Sequence, residues 1–342
     1  MRRWFRPRLL GMAAAALITL GVLALVHAPG SGGRTLGVGA AAPPVLAAPA
    51  VAVAPASPPA VAVRPEPLRV WAQSPALASS SASPPTIGAD AAIVLDEASA
   101  SVLYEKDAHA RIAPASLTKI MTALLALERG NLSDQVAVNV DSRRMRGSTV
   151  MGLVPGERLS LDDLLYGLLL PSGNDAALAV AEHVSGPVDA FVALMNERAA
   201  ELGLADTHFV NPHGLDGAGH YSSAYDLALL TRAAMQRADF RRIVGTRYYV
   251  AHGALNVYQL GTLNPLYGRI AGVDGVKTGF TRGARQALVG SVLRDGHRVY
   301  VVVLRAADRM ADSLALLNWT FAAYIWPAPS STVSADAATG GT

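Results

Sequence analysis

Residues 286–304 read QALVGSVLRDGHRVYVVVL. Two apolar runs flank Asp295-Gly296, a pair that tolerates the positive φ angles of a tight hairpin turn. β-Branched valines dominate both runs and suit a pleated, half-buried surface. The spacing predicts two antiparallel strands joined by a two-residue turn. A second pattern of this kind lies far upstream. In AAIVLDEASASVLYEKDA, residues 91–108, apolar runs at Ala91–Asp96 and Ser101–Glu105 flank a turn-like EASA. That also reads as a hairpin.

The text between the hairpins has helical period. Ser160 and Asp163 form a capping pair. Leu161, Leu164, Leu165, Leu168 and Leu169 follow at helical spacing. Further helices are predicted over 176–184 and 188–202. Val188, Phe191, Val192, Met195 and Leu202 share one apolar face of the latter, and Gly203 is a natural stop. After the last strand, DSLALLNWTFAAYI returns to helix. Strands at both ends with helices between predict an α/β (α+β) unit. Its antiparallel sheet is built from both chain ends, with a helical subdomain packed against it.

The flanks are of a different kind. The chain of 342 residues has no cysteine, so a disulfide framework, a thiolate zinc site and a cysteine nucleophile are excluded. The formal charge is +3, but Arg2, Arg3, Arg6 and Arg8 supply four positive charges, leaving about −1 (3 − 4) for the rest. No basic stripe interleaved with aromatics points to nucleic acid. Behind these arginines, Leu9 to Val26 carries no charge. Residues 1–28 are therefore expected to be a signal peptide or N-terminal membrane anchor, with the remainder exported. Residues 29–87 are rich in Ala and Pro, as in AAAPPVLAAPAVAVAPASPPAVAVRP, and are expected to form a disordered linker. Residues 88–327 are the expected catalytic domain, and 328–342 a disordered tail.

Three short motifs carry chemistry. In PASLTKIMTALLALERG, residues 114–130, Pro114 suits a first helical turn. Ser116 and Lys119, at i and i+3, then face the same way. A serine hydroxyl needs a base to become a nucleophile. A lysine serves as that base only if burial or a nearby positive charge favours its neutral form. The apolar helix that follows implies burial. Alone, a serine and lysine at this spacing also fit a cap and a surface cation. In LLLPSGNDAALAVAEH, Pro171 ends one helix and Asp175 is placed to cap the next. Ser172, Gly173 and Asn174 lie on the turn between, facing a cleft or simply punctuating two helices. In GVDGVKTGFT, Val273 and Val276 suit strand, with Lys277, Thr278 and Gly279 along it. A cation and a hydroxyl on an edge strand suit an anionic ligand end. Gly279 would let a ligand backbone approach closely. An edge protected by lysine is the alternative.

Together the motifs, in the order S-x-x-K, S-x-N, K-T-G, resemble the serine β-lactamase/penicillin-binding superfamily. The chain is most similar to low-molecular-mass penicillin-binding proteins, the D-alanyl-D-alanine carboxypeptidases of peptidase family S11. FVALMNERAAELGLADTHFVNPHGL, residues 191–215, matches as well. The resemblance implies a β-lactamase/transpeptidase-like fold and a penicillin-sensitive serine hydrolase that removes the terminal D-alanine from peptidoglycan stem pentapeptides. It implies Ser116 as nucleophile, Lys119 as general base and Ser172 as proton relay to the leaving amine. Asn174 would bind the substrate amide. Lys277 would supply positive potential, and Thr278 would hold the terminal carboxylate. The N–H groups of Ser116 and Phe280 would form the oxyanion hole. In AADRMADSLALLNW, Arg309 stands where the family places a carboxylate-gripping arginine.

Arg285 departs from the pattern, standing where a glycine is expected. It either shifts the local turn or alters substrate fit near the cleft. β-Lactam antibiotics are the implied inhibitors, the membrane a partner through an uncleaved leader, and no cofactor or metal is implied. His183, His208, His213 and His220 show no metal-binding spacing and read as helix-surface or loop residues. A D,D-endopeptidase with the same residues is the nearest alternative. A β-lactamase is a weaker one, since no E-x-x-L-N text lies between Ser172 and Lys277. A non-catalytic wall-binding protein is another, since only degenerate members lose these motifs.

Overall fold

All six residues of Ala91–Asp96 (β1) are buried, so both faces of this strand are covered. It pairs on one side with Val102–Lys106 (β2), its predicted hairpin partner. On its other side lies a strand from the far end of the chain. In the computed structural model, which describes residues 78–79 and 82–326 except Arg146, that strand is His297–Ala306 (β5). Val94 faces Val301 in an antiparallel register. Numbering only the strands of this sheet, Val273–Thr281 is β3 and Arg285–Arg294 is β4. The five-stranded order is β2-β1-β5-β4-β3, which leaves β3 on an edge. The β4–β5 turn is Asp295-Gly296, with φ of 50° and 82°. Both lie in the left-handed region that such two-residue turns require.

Side chains alternate between two cores with the strand period of two. Ile93, Leu95, Val289, Tyr300 and Val302 face the helical layer. Ala92, Val94, Leu288, Val299, Val301 and Val303 face Leu316 and Leu317 of Arg309–Ala323. That last helix closes the opposite face of the sheet. Full burial of one such aliphatic side chain stabilises by about 1.5 to 3 kcal/mol.

The helical layer is built around Lys119–Arg129 (α1), in which every residue from Lys119 to Leu127 is buried. Leu161–Leu169 (α2), Asn174–Ser185 (α3), Val188–Glu201 (α4), Ala224–Met235 (α5) and Ala238–Val244 (α6) complete it. The last helix, Arg309–Ala323, is α7. Ser160 caps α2, accepting a hydrogen bond from Asp163 N. Among the described residues no single helix is long and apolar enough to cross a membrane.

Among the described residues, contacts with the folded unit extend upstream of the expected boundary at residue 88. Ala78 and Ser79 pair with Ile325 and Tyr324, and the Trp319 indole donates to the Ala82 carbonyl at 3.0 Å. The expected leader 1–28, most of the 29–87 linker and the 328–342 tail lie outside the described residues.

Candidate active site

The first motif does not start on an α-helix. Ala115–Thr118 is a turn of 3₁₀-helix that runs into α1. In that geometry residues i and i+3 eclipse, so Ser116 lies directly over Lys119. Lys119 is completely buried, and its Nζ lies 3.1 Å from Ser116 Oγ. The amine has two further partners: Asn174 Oδ1 and the His213 carbonyl, each at 2.6 Å. Burial first, and then the Lys277 cation, hold the Lys119 pKa well below its usual value. A neutral amine has two N–H groups and one lone pair. The two carbonyl oxygens only accept and therefore take both hydrogens. The lone pair is left toward Ser116 Oγ, the direction in which a base must point.

The second motif supplies one of those acceptors. Ser172 adopts a φ of +67°, in the left-handed region. Its Oγ is buried and has no hydrogen-bond partner among the described residues. Asn174 opens α3 with its side chain against Lys119. Asp175 does not cap that helix; Gly173 holds the N-cap position without a side-chain bond. The Asp175 carboxylate instead accepts from the backbone N–H groups of Met151, Gly152, Leu153 and Ala176. Thr149 donates its hydroxyl to the Ser172 carbonyl and accepts from Asn174 N. The 149–153 segment is thereby tied to the S-x-N turn.

The third motif lies on β3. Lys277 is buried, and its Nζ donates to the Thr278 carbonyl at 2.9 Å. Burial and then the Arg309 guanidinium push its pKa down to about 7. Gly279 lines the cleft and also makes room within the protein. A Cβ there would lie 3.0 Å from Ala115 Cβ, 3.2 Å from Pro114 O and 3.2 Å from Ser116 N. The close approach is of β3 to the serine turn, before any ligand is considered. The Phe280 side chain is 65% exposed at the rim. Arg309 begins α7 and donates to the Gly279 carbonyl at 2.9 Å.

These parts enclose one cleft of about 640 Å³, lined among others by Ser116, Ser172, Asn174, Thr278, Gly279 and Arg309. Lys119 and Lys277 sit behind its wall. Arg285 is exposed, starts β4 with φ +55°, and is not part of the lining. It adopts the backbone shape a glycine would take there. Among the described residues no group of acidic or histidine side chains is placed to hold a metal.

Sequence reading left further participants unassigned. The NPHGL loop contributes the His213 carbonyl, and its Pro212 carbonyl accepts from Thr122 Oγ1 at 2.6 Å. Gly214, at φ +89°, packs so tightly that a Cβ would sit 1.9 Å from the Ala115 oxygen. His220 is not a surface residue: it is buried, against Thr118. Proline and glycine within five residues signalled a shaped loop, but not what it touches.

Comparison with known proteins agrees with this architecture. The sequence model of Peptidase_S11, described as D-alanyl-D-alanine carboxypeptidase, matches residues 78–308. D-alanyl-D-alanine carboxypeptidase DacF of Bacillus subtilis is 38% identical over 245 residues, 69% of this chain and 63% of that protein. DacC of Escherichia coli, a D-alanyl-D-alanine carboxypeptidase, is 37% identical over 249 residues, 69% of this chain and 62% of that protein. The chain thus spans less than two thirds of the length of these relatives. The crystal structure of the Streptomyces K15 DD-transpeptidase superposes with a TM-score of 0.67 at 31% identity, covering 70% of this chain and 100% of that one. The fold is therefore the expected β-lactamase/transpeptidase-like one. With most of the folded unit matched by one family's sequence model, the chain belongs to the D-alanyl-D-alanine carboxypeptidase family, peptidase S11.

Proposed function

We propose that this chain is a serine-type D-alanyl-D-alanine carboxypeptidase acting on peptidoglycan stem pentapeptides. One observation carries the reading: a buried amine within hydrogen-bond distance of two carbonyl oxygens and a serine hydroxyl. In the neutral amine the carbonyls take both hydrogens and the lone pair faces the hydroxyl. Lys119 takes the Ser116 proton as Oγ attacks the carbonyl of the penultimate D-alanine. The N–H groups of Ser116 and Phe280 stabilise the oxyanion, an interaction worth about 3 to 4 kcal/mol for one donor. The C–N bond breaks, and the leaving amine takes a proton through Ser172. Water then hydrolyses the ester and restores Ser116. Asn174 binds the substrate amide from the floor of the cleft.

Thr278 and Arg309 receive the terminal carboxylate, with Lys277 behind them supplying positive potential. An anion there restores charge to Lys277, because an opposite charge favours the ionised form. A charged Lys277 in turn pushes Lys119 further toward the neutral amine. Substrate binding thus prepares the base.

The test is mass spectrometry after benzylpenicillin treatment, with peptide mapping. A single adduct on Ser116, absent in Ser116→Ala, is the expected result; an adduct elsewhere overturns the assignment. With a stem pentapeptide, release of free D-alanine is expected. Loss of cross-linked dimers without free D-alanine would favour an endopeptidase. The Streptomyces neighbour is a DD-transpeptidase, so transfer of the acyl group to an amine is the second reading, detected as a longer peptide product. The expected leader places the catalytic unit outside the cytoplasmic membrane, where peptidoglycan lies. Fractionation of cells with and without residues 1–28 checks that placement.

A further inference from the structure

The turn that carries Ser116 begins in an unusual conformation. Ala115 has φ +49°, a region that residues other than glycine seldom occupy. Its carbonyl oxygen accepts a hydrogen bond from the Thr118 hydroxyl at 2.8 Å. The same hydroxyl oxygen lies 2.9 Å from His220 Nε2, and His220 Nδ1 lies 3.0 Å from Val210 N.

The protons along this chain have one arrangement. A backbone N–H only donates, so His220 Nδ1 carries a lone pair. The Ala115 carbonyl only accepts, so Thr118 spends its hydrogen there. His220 Nε2 therefore carries the ring proton and donates it to Thr118. Both ends fix the same neutral tautomer. The interior setting agrees, since burial, with His208 nearby, holds His220 at a pKa of about 4.

A peptide unit is planar, and its C=O and N–H point in opposite directions. The Ala115 carbonyl and the Ser116 N–H belong to one such unit, so a bond that fixes the first also fixes the second. The Ser116 nitrogen is turned toward β3, 3.2 Å from where a Cβ on Gly279 would lie. That is the side on which the two oxyanion donors must meet.

We propose that His220 is a positioning residue for the Ser116 N–H oxyanion donor, acting through Thr118 and the Ala115 carbonyl. The inference rests on Ser116 being the nucleophile. A donor aimed at charge that develops only in the transition state affects the acylation rate and leaves ground-state affinity alone.

Thr118→Val keeps the branched shape and removes the hydroxyl. His220→Phe keeps a ring and removes both hydrogen bonds. Stopped-flow acylation by a fluorescent penicillin separates noncovalent affinity from the acylation rate constant, and calorimetry reports the Tm of the free chain. Each variant is expected to acylate about 10- to 100-fold more slowly, less than the roughly 100- to 1000-fold cost of losing a donor outright. Noncovalent affinity is expected to stay at the parent value. The double variant is expected to be no slower than the slower single one, because both act along one path. Thr118→Ser, which keeps the hydroxyl, is expected to restore the rate.

A folded Thr118→Val or His220→Phe chain that acylates at the parent rate overturns the proposal. So does a double variant whose losses multiply. If His220→Phe fails to fold, the Thr118 pair decides alone. A parent chain never labelled on Ser116 removes the nucleophile and the inference together. A labelled parent with unaffected variants removes only the role of His220.

Discussion

Replacing Gly279 with alanine separates two accounts of why glycine stands there. If the glycine makes room for ligand backbone, the added methyl leaves the free protein undisturbed and weakens binding only. If it makes room for the serine turn, the free protein is strained. The geometry favours the second. A Cβ at 279 would lie 3.0 Å from Ala115 Cβ and 3.2 Å from both Pro114 O and Ser116 N. Contacts this short are tighter than nearly all real Cβ contacts, so the turn or the strand must yield by a few tenths of an ångström. Two of the three contacts are backbone atoms and cannot rotate away. Overpacking of this kind costs about 1 to 3 kcal/mol. For a domain of this size that lowers Tm by about 2 to 12 °C. A misplacement of reacting groups by about 1 Å costs about 100-fold, so a shift of a few tenths of an ångström at Ser116 should slow acylation by roughly several-fold. Calorimetry of the unliganded Gly279→Ala chain, paired with its acylation rate by penicillin, reads both effects. An unchanged Tm in the free chain together with weakened ligand affinity would refute the packing account.

The lysines give a pH signature. The neutral Lys119 amine exists above its depressed pKa, so acylation should rise as pH climbs through that value. Lys277→Met removes the neighbouring charge, raises the Lys119 pKa and should move the acid limb of the rate profile to higher pH; a limb moving lower refutes the coupling. Lys277, at about 7 in the free protein, loses its charge above that pH, so kcat/KM for a carboxylate-ended peptide should fall there. Arg309→Gln removes the charge that depresses Lys277 and should shift this alkaline fall upward while raising KM. Asp175→Asn leaves backbone donors unsatisfied at a buried site, and urea unfolding should report a loss of about 2 to 4 kcal/mol. Arg285→Gly relieves a left-handed residue on an exposed turn, so stability should change by no more than about 1 kcal/mol, on the favourable side. Its acylation rate should match the parent, and a slower rate would place Arg285 at the cleft.

What the sequence made legible was local in origin. The hairpins follow from strand period and from Asp295-Gly296, and α2 from Ser160 and its leucine face; each is decided within a few residues. Readings that depended on distant chain failed in instructive ways. Asp175 looks like a cap because short acids favour that position. In the fold, Met151, Gly152 and Leu153 offer it backbone donors from residues far upstream. His220 reads as a helix-surface or loop histidine and does lie in a loop, but nothing near it in sequence shows Thr118 arriving to bury it. Arg285 reads as shifting the local turn or altering substrate fit near the cleft; it lies outside the cleft lining, with a φ of 55° that a glycine would adopt freely.

The same division runs through the Lys119 amine. Lys119 has one partner three residues away, one on α3 and one in the 211–215 loop. Only the first is visible in the motif. The motif therefore reveals that a base and a hydroxyl are neighbours, but not which way the base points. Direction comes from the two remote carbonyl oxygens, and the His213 carbonyl is held through its own peptide unit, whose Gly214 N–H donates to Asn211 Oδ1 at 2.6 Å. Backbone shape matters as well, since a methyl on Gly214 would meet the Ala115 oxygen at 1.9 Å. That clash would drive the loop and its carbonyl away from Lys119. A chain with alanine at 214 would keep S-x-x-K, S-x-N and K-T-G intact, and would still lose the acceptor that turns the amine toward Ser116.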